Sequence, residues 1–240
     1  MNETTTIALV TGANKGLGRE TVRRLAVLGW DVFLAARDTT RGEAAVAELA
    51  EDGLAVRFVP LDVTSDESVA AAADAVKAHA GRLDVLVNNA GVGGAAGPPA
   101  DTRIVEIRDL FEVNVFGPIR VTNAFLPLLR AAEHPRIVMV SSGMGSFTVA
   151  GDPRWFGLVP PTLGYPASKA ALNMVTLQYA RALDGIMVNS VDPGYTATDL
   201  TDNAGFQTVT EGTDAIVRLA GIGSDGPTGG MFDRAGTVPW

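Results

Sequence analysis

Short apolar runs alternate with longer stretches of helical periodicity from one end of the chain to the other. Ile7-Ala8-Leu9-Val10 is apolar at four consecutive positions, the pattern of a buried strand. Strands are predicted to begin near Thr6, Asp31, Ala55, Asp84, Arg136, Ile186 and Gly229. Between them, helices are read over Lys15–Leu28, Arg41–Glu51, Asp66–Ala80, Val105–Ala131, Pro166–Ala182 and Glu211–Ala220. The Ala-rich segment 66–80 is an amphipathic helix rather than low complexity. Alternating strands and helices imply an α/β fold, a doubly wound parallel sheet with helices on both faces and a ligand at the carboxyl ends of the strands. No repeat or linker divides the chain, and 240 residues can bury a substantial core. Residues 1–240 are therefore expected to form a single domain.

Composition narrows the function. Without cysteine there is neither a disulfide frame nor a thiol nucleophile. The two histidines, His79 and His134, have no metal-ligand spacing, so no metal is expected. A formal charge of −8 argues against nonspecific nucleic-acid binding but leaves room for a local basic pocket. No basic leader opens the chain and no apolar stretch reaches the ~20 residues of a membrane span. A soluble cytoplasmic protein is the expectation.

The first strand feeds into Thr11-Gly12-Ala13-Asn14-Lys15-Gly16-Leu17-Gly18 and then a helix. Strand, glycine-rich turn and helix in that order form a phosphate site. Gly12 allows the tight turn, Gly16 lets backbone approach a pyrophosphate, and Gly18 permits close packing of helix on sheet. The second strand ends at Ala36-Arg37, where dinucleotide sites carry either an acid for a ribose 2′-hydroxyl or an arginine for a 2′-phosphate. Arg37, with Lys15 in the glycine loop, favours NADP over NAD. Asp38 is a competitor for Arg37.

Tyr165 and Lys169 are four apart at the start of a predicted helix, hence on one face and within reach of a shared ligand. A phenol normally titrates near ~10, and a cation beside it would lower that value toward the range useful for proton transfer.

With both ends in view, nearly the whole chain resembles the short-chain dehydrogenase/reductase family, which has a Rossmann fold. Leu61-Asp62-Val63 matches the family's adenine-contacting aspartate motif, and Asn88-Asn89-Ala90-Gly91 the motif that shapes the cofactor cleft. Asn114 matches the helix-interrupting asparagine, Ser141-Ser142 ends the fifth strand, and Pro193-Gly194 opens the loop after the sixth. Asn14-Lys15-Gly16, Ala36-Arg37-Asp38 and Trp240 look most like the carbonyl reductases. The resemblance implies hydride transfer between NADPH and a ketone, aldehyde or quinone. Tyr165 would donate the proton to the developing alkoxide, and Lys169 would lower the Tyr165 pKa and bind the nicotinamide ribose. Ser142 would hydrogen-bond the carbonyl oxygen, and Asn114 would hold a water linking Lys169 to solvent. It also implies cofactor contacts from Gly12, Asn14, Lys15, Gly16, Leu17, Gly18, Arg37, Asp62, Val63, Asn89, Ala90, Gly91, Tyr165, Lys169, Pro193, Gly194 and Thr198.

Alternatives stay open. Ser141 competes with Ser142, although strand alternation puts only one of the pair on the cleft side. Ser146 is a further hydroxyl that could touch substrate. Segment 143–164 is about ten residues longer than in most relatives; its Trp155 and Phe156 either line an apolar pocket or pack the loop. The substrate loop, 194–211, carries Tyr195 and Phe206, and its short polar character suggests a small or flat carbonyl compound. The same residues would serve a secondary-alcohol dehydrogenase, and a non-catalytic NADP-binding sensor is a third reading. Monomer and homo-oligomer remain undecided, since relatives pair through the helices Val105–Ala131 and Pro166–Ala182.

Overall fold

The computed structural model describes residues 5–94, 97–155 and 161–240, with Trp155 described by its backbone alone. In chain order the principal elements are β1 (Ile7–Thr11), α1 (Gly16–Val27), β2 (Asp31–Ala36), α2 (Thr39–Glu51), β3 (Val56–Pro60), α3 (Asp66–Ala80), β4 (Val85–Asn88) and α4 (Ile104–Phe111). There follow α5 (Gly117–Leu129), β5 (Arg136–Val140), α6 (Phe147–Ala150), α7 (Gly164–Ala182), β6 (Met187–Val191), α8 (Val209–Gly212), α9 (Asp214–Ala220), β7 (Met231–Phe232) and β8 (Thr237–Val238). The strands form one sheet in the order β3-β2-β1-β4-β5-β6-β7-β8. The expected parallel sheet is present through β7. At its edge β7 turns back into β8, an antiparallel pair too short to show as a strand pattern in the sequence.

Alternation along each strand sends successive side chains to opposite faces. Ile7, Leu9, Phe33, Ala35, Ile137 and Met139 pack on one side with Val69, Val76, Val121, Phe125 and Leu172 from α3, α5 and α7. Ala8, Val10, Leu34, Val138 and Val140 pack on the other with Val22, Leu25, Leu49, Ile216 and Leu219 from α1, α2 and α9. Both faces are covered, which is why the central strands read as unbroken apolar runs. Segment 66–80 is a capped helix. The Ser65 side chain accepts from Ser68 N, Asp66 and Glu67 occupy the first turn, and left-handed Gly81 ends it.

Two predicted helices are divided. The expected helix Val105–Ala131 becomes α4 and α5 joined by a π-helical turn, Glu112–Phe116, in which Gly117 N–H donates to the Glu112 carbonyl. Pro118 has no N–H to give Asn114, the residue four before it, so the regular α pattern fails there and the turn widens. The expected helix Glu211–Ala220 is broken at Thr213 into α8 and α9. Between β1 and β4 the chain order reverses direction across the sheet, placing a crevice at the carboxyl ends of these strands.

Candidate active site

The crevice opens on a rigid glycine turn. Thr11, the last residue of β1, is buried, and its hydroxyl accepts from the backbone N–H groups of Asn89 and Ala90, both at 3.0 Å. Asn89 answers by donating its amide to the Thr11 carbonyl at 2.8 Å and the Gly12 carbonyl at 3.2 Å. Gly12 has φ +63°, and a Cβ there would lie 2.8 Å from Ala90 Cα; a side chain at Gly18 would meet the Asn89 amide at 2.5 Å. These glycines are thus required by contact between the β1 turn and the end of β4. Lys15 stands at the N-cap of α1 without capping it, and the first turn carries no acid. The leading N–H groups of a 12-residue helix are therefore left for an anion, flanked by a turn whose Gly12 and Gly18 have no room for a Cβ. This donor set and this cradle fit a dinucleotide pyrophosphate.

On the adenine side, Arg37 is exposed past β2 and forms no ion pair among the described residues. Asp38 does not compete for it. Its carboxylate caps α2 by accepting from Arg41 N at 3.0 Å and pairs with the Arg41 side chain at 3.5 Å. Lys15, expected to be at liberty for a phosphate, is instead ion-paired with Asp199 of the substrate loop at 2.6 Å. The ammonium of Lys15 holds the Asp199 carboxyl below its ordinary value, and Arg41 acts in the same direction. Asp62 has one carboxylate oxygen bound by the N–H and hydroxyl of Thr64 at 2.9 and 2.8 Å. Val63 is buried against Gly117.

The reaction end gathers residues from the ends of β4 and β5, from the π turn and from α7. Ser141 is buried, and its hydroxyl is committed to Asn173 at 2.6 Å. Ser142 is partly exposed and neighbours the Tyr165 phenol, while its oxygen accepts from Met144 N at 3.2 Å. Lys169 is buried and donates to the Val140 carbonyl at 2.8 Å; its ammonium lies 5.6 Å from the centroid of the Tyr165 ring. Gly91 fits beside both helices' polar groups, since a Cβ there would sit 3.4 Å from Asn114 Oδ1 and 3.5 Å from Lys169 Nζ. Asn114, at the centre of the π turn, is fully buried. It accepts from Val92 N and donates to the Val92 carbonyl, both at 2.9 Å, and donates to Ser168 at 3.0 Å. Its side chain thus fastens the β4 loop to α7.

The expectation that Lys169 lowers the Tyr165 pKa does not hold for the protein on its own. Burial pushes the phenol up to about 12; the neighbouring Ser142 hydroxyl opposes this, and the charge of Asp192 adds to it. Burial also draws Lys169 down to about 8. Desolvation disfavours both charged forms and is the leading cause of both shifts.

The loops bring further corrections. Ser146 is buried and serves the chain, not the cleft: its hydroxyl donates to the Pro239 carbonyl at 2.6 Å and accepts from Val149 N. Thr198 caps the short helical turn Asp199–Thr201, and its methyl faces Gly16 across the crevice. Gly194 has φ +70° and donates to Asp192 at 3.0 Å. The substrate loop exposes polar residues such as Asp199, Asp202 and Asn203, but also large apolar ones. Phe206 is 76% exposed, Tyr195 and Leu200 are about half exposed, and the two aromatic rings meet edge to face at 6.0 Å. Leu200 reaches toward Gly93, and Phe147 stands 84% exposed at the start of α6. The reading of Trp155 and Phe156 as pocket walls concerns side chains that lie outside the described residues. Thr11, Asp192, Asp199 and Arg41 were missed by sequence reasoning. Thr11 and Asp192 had a signal, since each stands where a strand ends on the ligand side; Asp199 and Arg41 had none.

Comparison with known proteins accords with this geometry. The family model described as short chain dehydrogenase matches residues 6–208, so the chain belongs to the short-chain dehydrogenase family, a family of oxidoreductases. It is 37% identical over 226 residues to the short-chain dehydrogenase anuI of Penicillium roqueforti, covering 91% of this chain and 89% of that protein. It is 33% identical to (-)-isopiperitenone reductase of Mentha piperita, covering 98% of each. Among solved structures, NADPH bound carbonyl reductase from chicken fatty liver superposes with a TM-score of 0.87 at 27% identity, over 99% of this chain and 100% of that one. Among the described residues no helix is long and apolar enough to cross a membrane.

Proposed function

We propose that this protein is an NADPH-dependent reductase of an apolar carbonyl compound, with Tyr165 as proton donor. The observation that carries the reading is the convergence of Ser142, Tyr165 and Lys169 beside a glycine cradle whose Gly12 and Gly18 have no room for a Cβ. The uncapped start of α1 and the turn Gly12–Gly18 would hold the pyrophosphate, and Arg37, Arg41 and Lys15 the 2′-phosphate. When bound there, the cofactor supplies the hydride.

The protein's own part is to place the carbonyl and deliver a proton. Ser142, exposed where Ser141 is not, donates to the carbonyl oxygen as negative charge builds on it. Tyr165 then gives its proton to that oxygen. A phenol pushed up to about 12 keeps its proton throughout the neutral range, so the proton is in place when the carbonyl arrives. Lys169, drawn down to about 8, can return a proton toward the phenolate between turnovers. Tyr195, Leu200 and Phe206 present apolar surface on the substrate loop, which supports an apolar substrate over a small polar one.

A panel of ketones, aldehydes and quinones scored by NADPH consumption tests the activity. Tyr165→Phe should retain NADPH binding and lose about 100- to 10,000-fold in turnover. Undiminished turnover in that variant would refute Tyr165 as donor.

A further inference from the structure

Asp192 ends β6 and precedes Pro193-Gly194, a position that the proposed reaction has not used. Its carboxylate accepts from Gly194 N at 3.0 Å, and the backbone N–H of Gly143 also favours its charged form. A Cβ at Gly143 would lie only 2.6 Å from Asp192 Oδ2, so the acid presses directly on the turn that follows Ser142. Ser142 is in turn a neighbour of the Tyr165 phenol. One side chain therefore joins the serine turn to the substrate loop, next to the group that carries the proton.

We propose that Asp192 is a positioning residue for the Ser142–Tyr165 pair: it ties the serine turn to the loop after β6 and holds its carboxylate against that turn. The inference rests on the reading of Tyr165 as proton donor. The charged group acting on the acid is Asp233, just past β7, whose negative charge disfavours a second one nearby; the Tyr165 phenol of α7 is neutral while protonated. Among the described residues no lysine, arginine or histidine pairs with Asp192; Lys169, one turn along α7, is directed to the Val140 carbonyl. Burial raises the Asp192 pKa, and the two backbone N–H groups partly offset that rise. Those two donors favour the carboxylate, which is the form that repels a phenolate.

The sign follows. Reduction needs a protonated Tyr165 and fails as pH rises through its pKa. Removing the neighbouring negative charge stabilises the phenolate, so the alkaline limb should move to lower pH. The test is the pH profile of kcat/KM for reduction of one model ketone by wild type, Asp192→Asn and Asp192→Glu. The alkaline midpoint of Asp192→Asn should fall by at least about half a pH unit, and Asp192→Glu, which keeps the charge, should stay nearer wild type. The chain has three tyrosines, so replacing Tyr179 and Tyr195 by phenylalanine leaves Tyr165 as the sole source of phenolate absorbance. In that background the phenolate should appear at lower pH when Asp192 is neutralised. A limb and an absorbance onset that both stay put, with turnover lower at every pH, would overturn the proposal and leave Asp192 a loop tie. Asp192→Ser, which keeps an acceptor for Gly194 N–H, replaces Asp192→Asn if the latter does not fold. A wild type that reduces no carbonyl would sink the reductase reading, while the phenolate titration would still decide the role of Asp192.

Discussion

Replacing Gly145 by alanine should damage catalysis more than cofactor binding, because this glycine sets the distance between the serine turn and α7. A methyl there would stand 2.6 Å from the carbonyl carbon of Lys169, 2.8 Å from its oxygen and 2.9 Å from Ala170 N. Ordinary contact begins near 3.4 Å, so the surfaces must separate by 3.4 − 2.6 = 0.8 Å. The atoms opposing the methyl are backbone in the first third of a 19-residue helix that is packed against the sheet, so they cannot yield. The turn 143–145 moves instead, and it carries Ser142 with it through the Gly145 N–H bond to the Ser142 carbonyl. Overpacking of this kind costs about 1–3 kcal/mol, which for a chain of this size lowers Tm by about 2–12 °C. A misplacement approaching ~1 Å at a reacting group costs about 100-fold in rate. The phosphate cradle is formed by α1 and the turn before it, so NADPH affinity should change little. The assay is kcat and KM on a model ketone, with thermal melting and a nicotinamide fluorescence titration of the same preparation. Wild-type turnover together with wild-type Tm would refute the packing argument.

Cofactor choice should depend on the charges past β2. NADPH should bind at least about tenfold more tightly than NADH, and Arg37→Asp should erase that preference by opposing the 2′-phosphate, as paired titrations would show. Asp199→Asn should tighten NADPH selectively, since Lys15 then has no carboxylate partner to leave; unchanged affinity would mean that the Lys15–Asp199 pair persists in the complex. Stability should carry the signature of a buried lysine. Up to about pH 8 Lys169 is protonated folded and unfolded, but from about 8 to its ordinary 10.5 only the unfolded chain binds the proton. Stability therefore rises with pH across that window, by at most about 3 kcal/mol. From 10.0 to about 12 the raised Tyr165 pKa works in the opposite sense, because the unfolded chain gives up its proton first. Denaturant unfolding between pH 7 and 10 should show the rise in wild type and its absence in Lys169→Met; parallel curves would refute it.

The sequence by itself determined the sheet and its surroundings, because both depend on local patterns. Unbroken apolar runs such as Ile7–Val10 belong to strands covered on both faces, and residues three and four apart, as in Val69, Ala72 and Val76, mark the buried side of a helix. The glycine loop was equally legible, since its backbone needs are written into residue type, and Gly12 indeed has φ +63°. Asn114, Ser142, Tyr165 and Lys169 could be named from their order along the chain. What each one touches could not be. The identity of the serine facing the phenol was decided by Asn173 taking the hydroxyl of Ser141. The pairing of Lys15 with Asp199 joins residues 184 positions apart, and the pressure of Asp192 on Gly143 likewise exists only once β5 and β6 lie side by side. The direction of the Tyr165 shift was misjudged for the same reason. Spacing reports that a cation is near, but only packing sets how much water the phenol loses, and here that loss leads the shift.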